Sequence, residues 1–177
     1  MHGKDTVANM LKDQLELFGQ KVVIMHFADY LKFGCKEYLH WNGQKDAFGR
    51  SLLQQAGTEG IRYVRPDFWV DNIAVWIDGA LHKKYDVFII PDARFPNEID
   101  YLNSYDFSID AHVFSVRVTR LNFESPLSEE QQQHASEVSL DNFQFDYYMN
   151  CESGLDKLQI ATLSLAEMAL QFLGASK

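Results

Sequence analysis

Two four-residue runs, Val22-Val23-Ile24-Met25 and Val87-Phe88-Ile89-Ile90, constrain this chain more than any other feature. Each is apolar without alternation, so a strand built from it buries both of its faces. A sheet buried on both faces needs helices above and below it. The flanking segments supply them. Val7, Met10, Leu11, Leu15 and Phe18 repeat at helical spacing over 6–18, and Gly19 is a natural stop. Asp29 stands where an N-cap belongs, ahead of Leu31, Cys35, Tyr38 and Leu39. Residues 47–64 carry a helical pattern interrupted by Gly57 and Gly60. Val70, Ile73, Ala74, Ile77, Ala80 and Leu81 line one face over 67–82, with Pro66-Asp67 at the start. Pro96 opens a short helix. Leu155, Leu158, Leu165, Met168, Ala169 and Phe172 mark a long closing helix.

Two further strands differ in kind. From His112 to Thr119, Phe114, Val116 and Val118 alternate with Ser115, Arg117 and Thr119, the strand period. Residues 145–151 form a weaker strand pattern. The polar stretch 121–137, rich in Gln and Glu, reads as an exposed excursion. Helices alternating with short strands imply an α/β fold with a mainly parallel sheet, in which ligands bind beyond the carboxyl ends of the strands.

Composition narrows the function. The 177 residues read as one domain, 1–177, without internal repeats or a linker. Sixteen basic and 25 acidic residues give a net charge of −9, which disfavours wrapping polymeric nucleic acid but not holding a small anion. No apolar run approaches the roughly 18 residues of a membrane span, and the N-terminus has no signal-peptide pattern. With only Cys35 and Cys151, no disulfide framework is expected, and a cytoplasmic location is the default. The six histidines show no zinc spacing, and no nucleophile elbow or catalytic Cys/His signature occurs.

Gly3-Lys4-Asp5-Thr6 stands immediately before the first helix. A phosphate-binding loop ends in Gly-Lys-Ser/Thr at that place: backbone N–H groups close on a phosphate and the lysine reaches the terminal phosphates. Four residues alone also fit a capped helix with an exposed lysine. Asp5 replaces the usual Ser/Thr, and Thr6 follows it. The motif's first glycine and its feeding strand would both precede Met1, so a chain shortened by roughly ten residues, lacking its central strand, is expected.

Six arginines are present. Arg94 follows the second apolar run within Pro91-Asp92-Ala93-Arg94-Phe95-Pro96-Asn97-Glu98. An acid at a buried strand end, facing a phosphate loop, is where a magnesium-organising carboxylate sits, and an arginine two residues on can fork onto a phosphate. Arg62 and Arg65 precede Pro66-Asp67-Phe68-Trp69. They could hold a phosphate while Trp69 stacks on a base, or Phe68 and Trp69 could be core with the arginines solvated. Arg120 either reaches a nucleotide phosphate or ends a strand in solvent. His134, Ser136 and Glu137 form either a lid hinge or a helix cap.

Taken in order, Gly3 to Ala8, Phe27 to Lys32, Gly49-Arg50 through Gly57-Thr58-Glu59, Arg65 to Val70, Asp92 to Glu98 and His134 to Glu137 resemble the deoxynucleoside monophosphate kinases of bacteriophages and their bacterial relatives, within the P-loop kinases. The likeness runs from Gly3 to about Asn150, and Asp92 to Glu98 is its most specific piece. It implies a three-layer α/β/α fold and transfer of the γ-phosphoryl group of ATP to a (deoxy)nucleoside monophosphate. It implies Gly3, Lys4, Asp5 and Thr6 on the ATP phosphates, and Asp92 and Arg94 at the transfer site; by their places in the chain Arg120 is a further candidate for ATP and Lys4 for the transfer site. Mg²⁺ would lie at Asp5, Thr6 and Asp92. Asp29, Lys32, Arg62, Arg65, Trp69, Arg94, Asn97 and Glu137 would surround the acceptor. A homodimer is left open. Other readings are a P-loop kinase acting on phosphomevalonate or dephospho-coenzyme A, and an inactive, shortened nucleotide-binding fragment.

Overall fold

The structure is a computed structural model and describes residues 3–79, 81–121, 128, 132–152 and 154–175. It is a mixed α/β arrangement with short parallel sheets. Helix α1 spans Lys4–Leu17 and β1 Val22–Ile24; α2, Ala28–Leu39, follows. Next come α3, Ala47–Gln54, and a π-helix, Gln55–Arg62. Helix α4 is Phe68–Gly79, β2 is Val87–Ile89 and α5 is Pro96–Ser104. Strand β3 is Val116–Arg120, α6 is Ala135–Val138, β4 is Tyr147–Cys151 and α7 is Leu155–Ala175.

Strands β1 and β2 pair in parallel, Val22 opposite Val87 and Ile24 opposite Ile89. Strands β3 and β4 pair in parallel, Val116 opposite Tyr147 and Arg120 opposite Cys151. Among the described residues no ladder joins the two pairs. Helices α1 and α7 lie across both. The first half of α1, with Val7, Met10 and Leu11, packs with Leu158 and Leu165 of α7 on Val116, Val118 and Met149. The second half, through Leu11 and Leu15, packs with Ala166, Ala169 and Leu170 on Val22, Val87 and Ile89. On the opposite face of β1/β2, Phe88 meets Trp69, Val70, Ile73 and Ile77 of α4 together with Tyr101 and Leu102 of α5. Neighbouring strand residues thus point into two different cores, as an unalternating apolar run requires.

Several expectations shift. The strand expected over 112–119 begins at Val116, because Ser115 gives both its N–H and its hydroxyl to the Asp146 carboxylate, at 2.8 and 2.6 Å, and the ladder starts beyond it. The helix expected over 67–82 ends at Gly79, with a 3₁₀ turn over Leu81–Lys83; Ala80 lies outside the described residues. The glycine-marked break in 47–64 is a π-helix. Its Gly57 packs so closely on α2 that a β-carbon there would stand 2.5 Å from Leu31 Cδ2. Of the excursion 121–137, residues 122–127 and 129–131 lie outside the described residues; α6 occupies its end. Both cysteines are buried free thiols, and burial pushes the Cys35 thiol up from its ordinary value. Among the described residues no helix is long and apolar enough to cross a membrane.

Candidate functional site

The site gathers at the carboxyl ends of β1 and β2. Gly3 takes a left-handed conformation, φ 79°, at the N-cap of α1, and no side chain caps the helix there. Glycine meets that conformation without steric cost. The first amides of a 14-residue helix are left with no intrahelical acceptor and carry the positive end of its dipole. The arrangement suits an anion. Lys4 begins the helix half-buried. Burial lowers its ammonium pKa from the ordinary lysine value; Arg94 and Arg117 lower it further, while Glu137 and Asp92 oppose the shift. Lys4, Asp92, Arg94 and Glu137, chosen from separate stretches of sequence, are therefore within electrostatic reach of one another.

Asp92 does not simply cap its own turn. Its two carboxylate oxygens accept from the N–H groups of Phe27 and Ala28, each at 3.0 Å. It thereby satisfies the start of α2, where Asp29 was expected to do so. Phe27 occupies the N-cap position instead, and a phenylalanine side chain offers no acceptor. Asp29 is released to accept from Lys32 Nζ at 3.0 Å and to face His26 Nδ1 at 3.4 Å. His26 Nε2 lies 3.7 Å from Asp5. His26 thus stands between the loop acid and the α2 pair. It follows the first apolar run directly, so strand-end position alone could have found it.

Arg94 donates to the Ser136 carbonyl at 3.0 Å and forms an ion pair with Glu137. His134 Nδ1 accepts from the Ser136 N–H at 3.2 Å, so His134 is a helix cap. Glu98 is the other residue that sequence reasoning passed over. It is 2% exposed; Oε2 accepts from the N–H groups of Arg94 and Phe95 at 2.7 and 3.1 Å, and Oε1 from Arg62 at 2.5 Å. A glutamate three residues into a helix opened by proline is a capping signal that was available to read. Burial raises the Glu98 carboxyl pKa, against the pull of the Arg94 N–H and of Arg62.

The acceptor-side residues divide. Arg62 is committed to Glu98 and lies 4.0 Å over the Phe95 ring, which turns a proposed ligand contact into an internal one. Trp69 is 6% exposed and donates to the Gly57 carbonyl at 3.2 Å. Of the two readings left open for Trp69 the structure shows the core one: the indole is buried, and its one polar atom is used within the fold. Arg65 stays exposed, 5.4 Å over the Phe68 ring. These two residues line an open groove of about 400 Å³ with Val64, Pro66, Asp67 and Asp71. Tyr101 edges the same groove; its hydroxyl donates to Asp71 at 2.7 Å, and that bond pushes its pKa up to about 12. Asn97 donates to Asp67 at 2.8 Å and to the Pro66 carbonyl at 3.2 Å, which fixes the groove's rim. Arg120 closes β3 opposite Cys151, on the strand parity of Val116 and Val118.

No family model matches the chain, and no curated protein matches it.

Proposed function

We propose that this protein is a phosphotransferase that moves the γ-phosphoryl group of ATP to a (deoxy)nucleoside monophosphate. The observation that carries the reading is the convergence on an uncapped helix start of one desolvated lysine and the Asp92–Arg94–Glu137 group. Phosphoryl transfer asks little covalent chemistry of a protein; it asks for positive groups fixed around in-line phosphates. The amides after Gly3 would cradle the ATP phosphates, Lys4 would reach the β- and γ-oxygens, and Arg94 would fork onto the transferring group. Arg94 would exchange its Glu137 partner for phosphate on binding.

Among the described residues no three metal-ligating side chains cluster. Mg²⁺ still fits, because in such sites it is held by one or two protein oxygens plus substrate phosphates and water. Each Asp92 oxygen accepts one backbone N–H and keeps a second lone pair. Asp92, Asp5 and Thr6 are the residues that would hold the ion. It would supply charge neutralisation at the transferring phosphoryl group. Arg65 and Phe68, rather than Trp69, would face the acceptor, and the 400 Å³ groove beside them admits a base.

The P-loop kinase form of the fold belongs to the same proposal. There a strand lies mid-sheet; among the described residues the two parallel pairs are joined by no ladder, and both pack on α1 and α7. Strands β2 and β3 are only partly buried despite their apolar residues, as unpaired edges would be. The test is a coupled assay of ADP release with ATP, Mg²⁺ and a panel of deoxynucleoside monophosphates, phosphomevalonate and dephospho-coenzyme A. Turnover with a monophosphate nucleotide is expected. Turnover confined to either of the other two acceptors, or ATP that leaves every acceptor untouched, defeats the proposal.

A further inference from the structure

We propose that Glu98 is a positioning residue that sets the Arg94 guanidinium and links it, through Arg62, to the π-helix. The inference rests on the kinase reading only for what Arg94 does, not for how it is held. Residues 92–98 leave β2 as a turn that must present Arg94 toward Lys4. Two carboxylates, one at each end, pin this turn. Asp92 accepts from the N–H groups of Phe27 and Ala28 on another element. Glu98 accepts from the N–H groups of Arg94 and Phe95 within the turn. Arg94 lies between the pins, so its backbone has little freedom left.

The second oxygen of Glu98 extends the hold. It accepts from Arg62, the last residue of the π-helix, which also lies over Phe95 and donates to the Pro66 carbonyl at 3.3 Å. Pro66 lines the acceptor groove. A continuous chain of contacts therefore runs from the groove rim through Arg62 and Glu98 to the peptide that carries Arg94. A purely structural ion pair does not require both oxygens to be divided between a backbone turn and a different element. A buried, fully used carboxylate also has no cheap replacement. Glutamine offers one oxygen and one NH₂, so it faces either Arg62 or the two backbone donors with a donor of its own.

The test compares Glu98→Gln, Arg94→Lys and the double variant with the unmodified protein. The first readout is the NMR signal of the Arg94 side-chain N–H, identified by its loss in Arg94→Lys. Glu98→Gln is expected to shift or broaden it while the backbone signals of α7, remote from the turn, stay in place. The second is kcat/KM for phosphoryl transfer. Glu98→Gln is expected to lower it about tenfold or more, mainly through kcat, since a small displacement of a positioning group is costly. In the Arg94→Lys background the same change is expected to cost less than about twofold, because the residue it acts through is already gone. An unmoved Arg94 signal overturns the proposal, as does an equal loss of kcat/KM in both backgrounds. If Glu98→Gln does not fold, Arg62→Met reads the link from its other end; an Arg94 signal unmoved by that change overturns it too. Absence of transfer by the unmodified protein defeats the kinase reading, while the Arg94 signal still decides the role of Glu98.

Discussion

The two strand pairs share one helical layer and differ in everything on their other side. Below β1/β2, Phe88 enters a second core built by α4 and α5 around Val70 and Ile73, which are 0% and 2% exposed. Below β3/β4, Arg117 reaches the Leu140 carbonyl and Asp141 at 3.0 and 2.9 Å, and Tyr148 is half exposed. Among the described residues, the same strand geometry thus serves a three-layer unit in one half and a one-sided sheet in the other. What decides between them is the residue type on alternate positions: Val-Phe-Ile on β2, Val-Arg-Val-Thr-Arg on β3. Lys4 is within electrostatic reach of both halves: Asp92 and Arg94 follow β2, while Arg117 lies on β3 and Glu137 on α6.

The sharpest way to break this contrast is to open the second core. Trp69→Ala is expected to cost about 3–5 kcal/mol, the range for emptying a buried tryptophan site. The indole also ties α4 to the π-helix through the Gly57 carbonyl, so its loss strands a buried acceptor. Chemical denaturation with a linear extrapolation measures the change. A loss under about 1 kcal/mol would mean that α4 does not form a well-packed second layer.

The next effect is read at Lys4. Lys4→Ala is expected to lower kcat by about 10²–10³-fold, as removal of one transition-state charge contact does, with the unfolding midpoint little changed. The pH profile carries a sign. Burial lowers the Lys4 pKa, so its charged form is lost on the alkaline side at a pH below the ordinary 10.5. The kcat/KM for ATP, which reports the free protein, should fall through that lowered value, and a kcat/KM profile with its alkaline limb at or above 10.5 would remove Lys4 from the role. Arg94→Lys is expected to lose about tenfold in kcat/KM, because an ammonium cannot fork onto two phosphate oxygens. An unchanged value would leave Arg94 as a partner of Glu137 and nothing more.

Much of this was legible from the residues, unevenly. Runs 22–25 and 87–90 specify their strands because apolar residues on both faces leave few other placements. Lys4, Asp92 and Arg94 are candidates by their position at strand and helix ends, which a parallel α/β order determines. What escaped notice depends on long-range partners. Nothing local says that Asp92 serves the start of α2 some 64 residues earlier, or that Arg62 spends its charge on Glu98, 36 residues away. Trp69 was ambiguous for the same reason. An aromatic beside two arginines fits a base platform and a core equally until the packing of α4 is known. The π-helix was visible only as two glycines that weakened a helix, and the close approach of Gly57 to Leu31 within it is a tertiary contact that no local pattern announces.

The smallest expected effect tests the other half of the contrast. Tyr148 occupies the open face of β4 as Phe88 occupies the covered face of β2. Its hydroxyl accepts from the Phe145 N–H at 3.0 Å, and its ring meets Phe145 edge-on, with centroids 5.8 Å apart. Those contacts are exposed, and the N–H released by a substitution can bond to water, so no buried group is orphaned. Tyr148→Ser should therefore cost about 1 kcal/mol or less, in the ordinary range for surface changes plus one modest ring contact. The neighbouring Met149, 2% exposed and directed into the shared α1/α7 core, sets the scale: Met149→Ala should cost about 2–5 kcal/mol. Adjacent residues of one strand are thus expected to differ severalfold in denaturation measurements. Equal losses at 148 and 149 would mean that the far face of β3/β4 is covered as fully as that of β1/β2, and the division into a three-layer and a one-sided half would fall.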